Sequence, residues 1–158
     1  MDVPKGRYYR DQEIAAAIAA QLSAVGIEVS VRDYDWSMYV RDRLVPKETS
    51  SLFLLSLMSR GNGLEDTRNL AYDFPFNPTL WHNPEFEDLL NRAEKTFNKS
   101  LQLDLLHRAQ AAAYEEAPWI WLWRPFLFYG VGQDLDWWQP RADGLIYLYT
   151  ATPATEVE

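Results

Sequence analysis

Residues 83–130 read NPEFEDLLNRAEKTFNKSLQLDLLHRAQAAAYEEAPWIWLWRPFLFYG, and the reading of this stretch decides the fold. Asn83 is a residue type that caps helix N-termini, and Pro84 suits the first helical position because its missing N–H would have no partner there. Glu85 and Glu87 fall in the first turn, where negative charge favours the helix dipole. Phe86, Leu89, Leu90 and Ala93 recur at helical spacing and predict one buried face. A second helix opens at Asn98 or Ser100. Its expected apolar face is Leu103, Leu106, Ala109 (or Gln110) and Ala113, and Pro118 closes it. The short connection predicts an antiparallel helix pair. Trp119, Trp121 and Trp123 then alternate with Ile120 and Leu122. Residues 120–130 are therefore expected to be a strand, apolar on both faces and placed inside a sheet.

Upstream, Asp11 is the expected cap of a helix in which Ile14, Ile18, Leu22 and Val25 share a face, with Gly26 at its left-handed end. Ile27, Val29 and Val31 alternate with polar residues, the period of a half-buried strand. A short helix runs from Trp36 to Leu44, before Pro46. Residues 52–58 form an apolar run of strand length, and 145–149 a last strand. Residues 59–83 are irregular, and a segment of that length in a compact domain is more often functional than idle. The alternation of strands and helices predicts an α/β fold, with a helical crossover between parallel strands.

Composition narrows the function. With 158 residues and 47% hydrophobic content the chain can bury a core as one domain. A formal net charge of −8 excludes a nucleic-acid partner, since phosphate binding needs a basic footprint. There is no cysteine, so disulfides and thiolate metal sites are excluded. Residues 117–131, the best apolar run, are too short to span a membrane and are broken by Arg124 and Pro125. His82 and His107 lie on different elements without metal-pair spacing. Walker, dinucleotide and nucleophile-elbow patterns are missing, so neither enzymatic activity nor a cofactor is expected. Seven tryptophans leave two readings open: an aromatic core, or rings that stack on a solute.

The order of these parts resembles the bacterial extracellular solute-binding proteins of the oligopeptide, dipeptide and nickel type, often called family 5, which deliver ligands to ABC importers. The landmarks are Gly6-Arg7-Tyr8, the helix ending at Gly26-Ile27, Trp36 followed by Tyr39, the Asn83-Pro84-Glu85-Phe86 cap, Ala117-Pro118-Trp119-Ile120, Tyr129-Gly130, and Pro140-Arg141-Ala142-Asp143-Gly144. They span most of residues 5–149. The sequence departs from the pattern at Trp121, where proline is usual, and at Leu57-Met58, where Gly-Trp is usual. Arg60-Gly61-Asn62 stands where peptide binders often carry an aspartate.

The resemblance implies the C-terminal lobe of a type II-like periplasmic binding protein, a mixed sheet flanked by helices. Residues 1–158 would be that single lobe, with 133–158 packing on a missing N-terminal lobe. The full-length parent would be periplasmic or extracellular and membrane-anchored, with an ABC permease as partner. The stretch MDVPKGRYYR holds no apolar leader, so a fragment of a longer protein is expected. The strand before Gly6 is expected to be cut to a stub. With no partner for that edge or for the tail, a homodimer or higher oligomer is the expected assembly.

Ligands of open α/β sheets bind beside the carboxyl ends of strands. That rule, with the resemblance, makes residues 58–66 the expected ligand-facing loop. Met58, Ser59, Arg60, Asn62, Glu65 and Asp66 are the candidate contacts. Trp36 is a further candidate, whose alternative is to anchor its own helix. The expected solute is a peptide, an opine or sugar, or a similar small molecule; Arg60 would favour an anionic one. The competing readings are a small carbohydrate-active enzyme using Glu65 and Asp66, and an aromatic-rich interaction module.

Overall fold

The computed structural model describes residues 1–59, 61–124, 126–141 and 143–154. Its first layer is a short parallel arrangement with β1 (Asp2–Pro4) in the middle. On one side β1 pairs in parallel with β2 (Arg32–Tyr34), in the register Asp2 to Arg32, Val3 to Asp33 and Pro4 to Tyr34. On the other it makes a single parallel bridge to Phe53. Helix α1 (Asp11–Ser23) is the crossover from β1 to β2. The stub before Gly6 is thus the central strand of this layer, where an incomplete edge was expected.

Pro4 explains why the layer is so short. Asp2 N donates to Leu52 O at 2.9 Å and Leu54 N donates to Asp2 O at 2.9 Å. The next residue facing that side is Pro4, which has no N–H, and the ladder stops there. The apolar run at 52–58 consequently contributes one bridge rather than a full strand. Pairing on the β2 side begins only at Arg32, opposite Asp2, so the alternating residues 27–31 precede the ladder. Ile27 remains 51% exposed.

After β2 the chain turns into α2 (Trp36–Tyr39), which continues as a π-helical turn over Val40–Leu44. Tyr39 and Leu44 are buried. A short helix, α3 (Gly63–Arg68), opens the second half. Residues 69–83 then loop around the buried Asn77. Its amide donates to Leu70 O at 2.8 Å and to Ala71 O at 3.1 Å, while its carbonyl accepts from the Thr79 hydroxyl at 2.8 Å.

The helix pair predicted from residues 83–116 is present as α4 (Pro84–Lys95) and α5 (Lys99–Glu116). Asn83 Oδ1 accepts from Phe86 N at 2.9 Å, and Asn98 Oδ1 from Leu101 N at 3.1 Å. Of the two expected caps for α5, Asn98 is the one used. Phe86, Leu89, Leu90 and Ala93 are buried as predicted. On α5 the buried residues are Leu105, Leu106, Ala109 and Ala113, while Leu103 faces outward. Ala117 takes a left-handed conformation, φ 46°, and Pro118 follows.

Two cores result. One joins α4 and α5 with Leu70 and Ala71, flanked by Leu64, Trp81 and Trp119. The other is small, built from Val3, Ala15 and Leu54 with Met1, Tyr8 and Ile14 against it. Trp119 meets Phe53 edge-on at 5.3 Å and links the two sides. Beyond α5 the chain is irregular apart from an antiparallel pair, β3 (Leu135–Trp137) with β4 (Thr152–Pro153). The strands expected at 120–130 and 145–149 do not form among the described residues, and residues 121–124 and 126–128 are exposed rather than internal. The architecture is α/β, with parallel and antiparallel pairings and helices packed beside them. No helix among the described residues is long and apolar enough to cross a membrane.

Candidate functional site

The carboxyl ends of the three parallel segments converge. β1 runs out through Gly6 into Arg7 and Tyr8, β2 runs out into Trp36, and the segment bridged at Phe53 runs out into Ser56. Asp11 fixes the first of these turns. Its carboxylate accepts from Arg7 N at 2.9 Å and Tyr8 N at 3.0 Å, and from Gln12 N at 2.9 Å. Asp11 was expected to cap α1. It is instead the first helical residue, folded back onto the preceding turn. Burial alone would raise its pKa, but these amides outweigh burial and hold the carboxyl below the usual aspartate range.

Tyr8, so placed, touches both neighbours. Its ring meets Trp36 edge-on at 6.1 Å, and its hydroxyl accepts from Ser56 N at 3.1 Å. Burial pushes its phenol pKa up, so it stays a neutral donor and acceptor. The Arg7 guanidinium lies over the Trp36 ring at 4.7 Å. Trp36 also packs on Tyr39 at 6.1 Å. Trp36 therefore anchors its helix, and it stays half-buried at the strand ends. Arg7 and Tyr8 escaped the sequence reading as site residues. The signal available was the Gly6-Arg7-Tyr8 landmark, immediately after what proved to be the central strand.

The 58–66 loop leaves from the same end of the layer. Met58 is exposed. The Ser59 hydroxyl donates to Asp66 Oδ2 at 2.6 Å and accepts from Gly61 N at 3.2 Å, closing the loop on itself. Asn62 Oδ1 accepts from Leu64 N at 3.0 Å and caps α3. Glu65 and Asp66 sit in the first turn of α3. Arg60 lies outside the described residues. A hollow of about 360 Å³ is lined by Asp66, Thr67, Leu70, Gln110, Tyr114 and Trp121, and Gln110 donates to the Thr67 hydroxyl at 2.8 Å across its floor. A second, more open hollow of about 450 Å³ joins Gly61 to Trp137, Arg141, Asp143 and Tyr147. The structure thus joins Ser59, Asn62 and Asp66 within one loop, while Trp36 keeps its own aromatic neighbours. Among the described residues no group of three His, Asp or Glu is placed to hold a metal ion.

No family model matches the chain. It is 26% identical over 122 residues to Di/tripeptide-binding protein 4 of Pseudomonas aeruginosa (strain UCBPP-PA14), covering 72% of this chain and 22% of that protein. It is 23% identical over 130 residues to Dipeptide-binding protein DppE of Bacillus subtilis (strain 168), covering 75% and 21%. It is 26% identical over 128 residues to Oligopeptide-binding protein OppA of the same organism, covering 74% and 23%. Among solved structures it matches the crystal structure of a dipeptide binding protein from Pseudoalteromonas sp. SM9913 in complex with Met-Leu. That match has a TM-score of 0.63 and 22% identity, and covers 74% of this chain and 25% of that one. The chain spans about a fifth of the length of the curated relatives it matches. The resemblance carried by the sequence landmarks holds: these relatives are peptide-binding proteins, and the fold is that of part of one.

Proposed function

We propose that this chain is the C-terminal lobe of a two-lobe solute-binding protein that captures a short peptide, without catalysis, for an ABC importer. Residues 1–158 form that lobe, and 133–158 pack against the other lobe. The parent is periplasmic or extracellular and membrane-anchored. The observation that carries the reading is the convergence of three parallel strand ends on Tyr8, Trp36 and Ser56, with the 58–66 loop leaving from the same point. Rings and a guanidinium at strand ends suit a ligand held by stacking and hydrogen bonds. The similarity to proteins named for di-, tri- and oligopeptide binding favours a peptide over the opine or sugar alternatives.

Calorimetric titration of Met-Leu and a mixed dipeptide library into the native protein that carries this sequence tests the reading. Saturable peptide binding is expected, with Trp36→Ala and Asp66→Ala each weakening it by about 1–3 kcal/mol. Unchanged affinity in alanine variants at Trp36, Asn62, Glu65 and Asp66 would remove these residues from the site. Heat from sugars but none from peptides would remove the peptide itself.

A further inference from the structure

The turn from β1 into α1 has a left-handed residue at each end. Gly6 has φ 66° and Arg10 has φ 56°, and Arg10 has a Cβ to accommodate there. Among the described residues neither Arg7 N nor Tyr8 N finds a backbone acceptor. Both amides donate instead to one oxygen, Asp11 Oδ2, at 2.9 Å and 3.0 Å. Gln12 N donates to the other, Oδ1, at 2.9 Å. Hydrogen bonds to an ionised acceptor are about twice as strong as neutral ones. The backbone's own tie across this turn is Asp11 N to Tyr8 O, at a long 3.3 Å. The Asp11 carboxylate, on a residue only 3% exposed, is therefore what holds the turn in shape.

That shape sets the strand-end cluster. Arg7 is exposed, and its guanidinium lies over the Trp36 ring at 4.7 Å. Tyr8 meets the same ring edge-on at 6.1 Å, and its hydroxyl accepts from Ser56 N at 3.1 Å. Asp11 itself is buried, and its two oxygens already accept three amides. It reaches a solute only through Arg7 and Tyr8.

We propose that Asp11 is the positioning residue of the strand-end site. It holds Arg7 and Tyr8 against Trp36 before a peptide arrives, so that guanidinium, phenol and indole meet the ligand as a preformed surface. This rests on the peptide-binding reading of the site. Groups that are already ordered bind more tightly, because association does not have to order them. Without the carboxylate the two amides turn to water, the turn reorders, and Arg7 leaves the ring. Geometry and charge make different demands here. Both amides use a single oxygen, and asparagine keeps one oxygen of that kind. Glutamate keeps the charge but carries it one methylene too far for the same two amides.

Fluorine NMR of the native protein labelled with 5-fluorotryptophan, paired with calorimetry of Met-Leu and the dipeptide library, tests this. Trp36→Phe assigns the Trp36 resonance, and Arg7→Ala shows where that resonance lies once the guanidinium is gone. Asp11→Ala is expected to move the Trp36 resonance toward the Arg7→Ala position, with the other tryptophan resonances in place. Peptide affinity is expected to fall on the order of tenfold or more, as for loss of a supporting hydrogen-bond partner behind a site. Asp11→Asn is expected to restore the resonance and most of the affinity, and Asp11→Glu to restore neither. Should Asp11→Ala lose its far-ultraviolet helix signal, the contrast between the asparagine and glutamate variants decides instead. A Trp36 resonance and an affinity both indifferent to Asp11→Ala would overturn the proposal. Movement of all tryptophan resonances together would overturn it too, since that marks a general loss of structure. A native protein that binds none of these peptides removes the peptide reading instead, and the Trp36 resonance alone then decides whether Asp11 sets the Arg7–Trp36 pair.

Discussion

Pro4 cannot donate to Leu54 O, and the fold supplies that carbonyl with a different donor. The buried Tyr39 hydroxyl donates to Leu54 O at 3.0 Å, with Asp2 O further away at 3.4 Å. A side chain thus completes a ladder that the proline interrupts. Tyr39→Phe keeps the ring and removes this donor, so it is expected to cost about 1–3 kcal/mol, read as a lower urea midpoint at constant slope. Asp2 is the second buried polar residue of this layer. Its carboxylate accepts from Ser50 N at 2.6 Å, the Ser50 hydroxyl at 2.8 Å and Arg32 Nε at 3.0 Å. Burial works to raise its pKa; the Ser50 and Arg32 contacts more than offset this, and the net shift is downward. A carboxyl depressed in the folded state adds stability above its ordinary value of 3.8, and that stability is lost as pH falls through the lower folded value. Asp2→Asn is therefore expected to lower the melting temperature at neutral pH, with the difference from wild type narrowing in acid. None of this was legible in the sequence. Ser50 and Leu54 lie far along the chain from Asp2, and nothing local marks Tyr39 as their neighbour.

Helices α4 and α5 were legible because their signals are local: a cap, a proline at the first position, and one buried stripe. The phase of α5 was harder to read. Leucine occurs at 101, 103, 105 and 106, so more than one stripe fits, and packing against Leu89, Leu90 and Ala93 selects Leu105 and Leu106. The two caps make a differential prediction. Asn98 caps its helix through one bond. Asn83 caps α4 and also donates its amide to Glu116 Oε1 at 2.7 Å, while Trp81 Nε1 donates to Glu116 Oε2 at 2.6 Å. Glu116 therefore ties the end of α5 to the start of α4. Asn98→Ala is expected to cost about 1 kcal/mol, and Asn83→Ala measurably more. Glu116→Gln in the Asn83→Ala background tests the coupling: additive losses in a double-mutant cycle would mean that the Asn83–Glu116 bond adds nothing to the cap. The strand readings failed for the opposite reason. Alternation at 27–31 and 120–130 records which faces are apolar, but a ladder needs a neighbour of matching length, and β1 is three residues long.

Across the whole molecule the two cores differ greatly in size, and the candidate site sits on the smaller one. The strand-end position of the 58–66 loop was legible from the apolar run before it. The contribution of Arg7 and Tyr8 was not, because it depends on β1 taking the central place. Val3, Ala15 and Leu54 alone bury little area, so the layer that carries Tyr8 and Trp36 depends on its tie to the helix pair. The tie with a measurable handle is Trp119, half-buried and edge-on to Phe53 at 5.3 Å, and stacked on Trp121 at 6.4 Å. Hydrogen exchange on the dilute chain is therefore expected to be slowest in α4 and α5. It should be faster in β1, β2 and the first turns of α1, and fastest at 118–131, where the described backbone makes no internal hydrogen bonds. Trp119→Ala removes a ring that only flanks the helix-pair core and leaves the buried members of both cores in place. Its expected effect is selective: protection in β1 and β2 falls by the equivalent of about 1–2 kcal/mol, while protection in α4 and α5 changes little. Equal loss in all of these elements would mean that the chain opens as one cooperative unit and that Trp119 supports the helix pair as much as the strand layer.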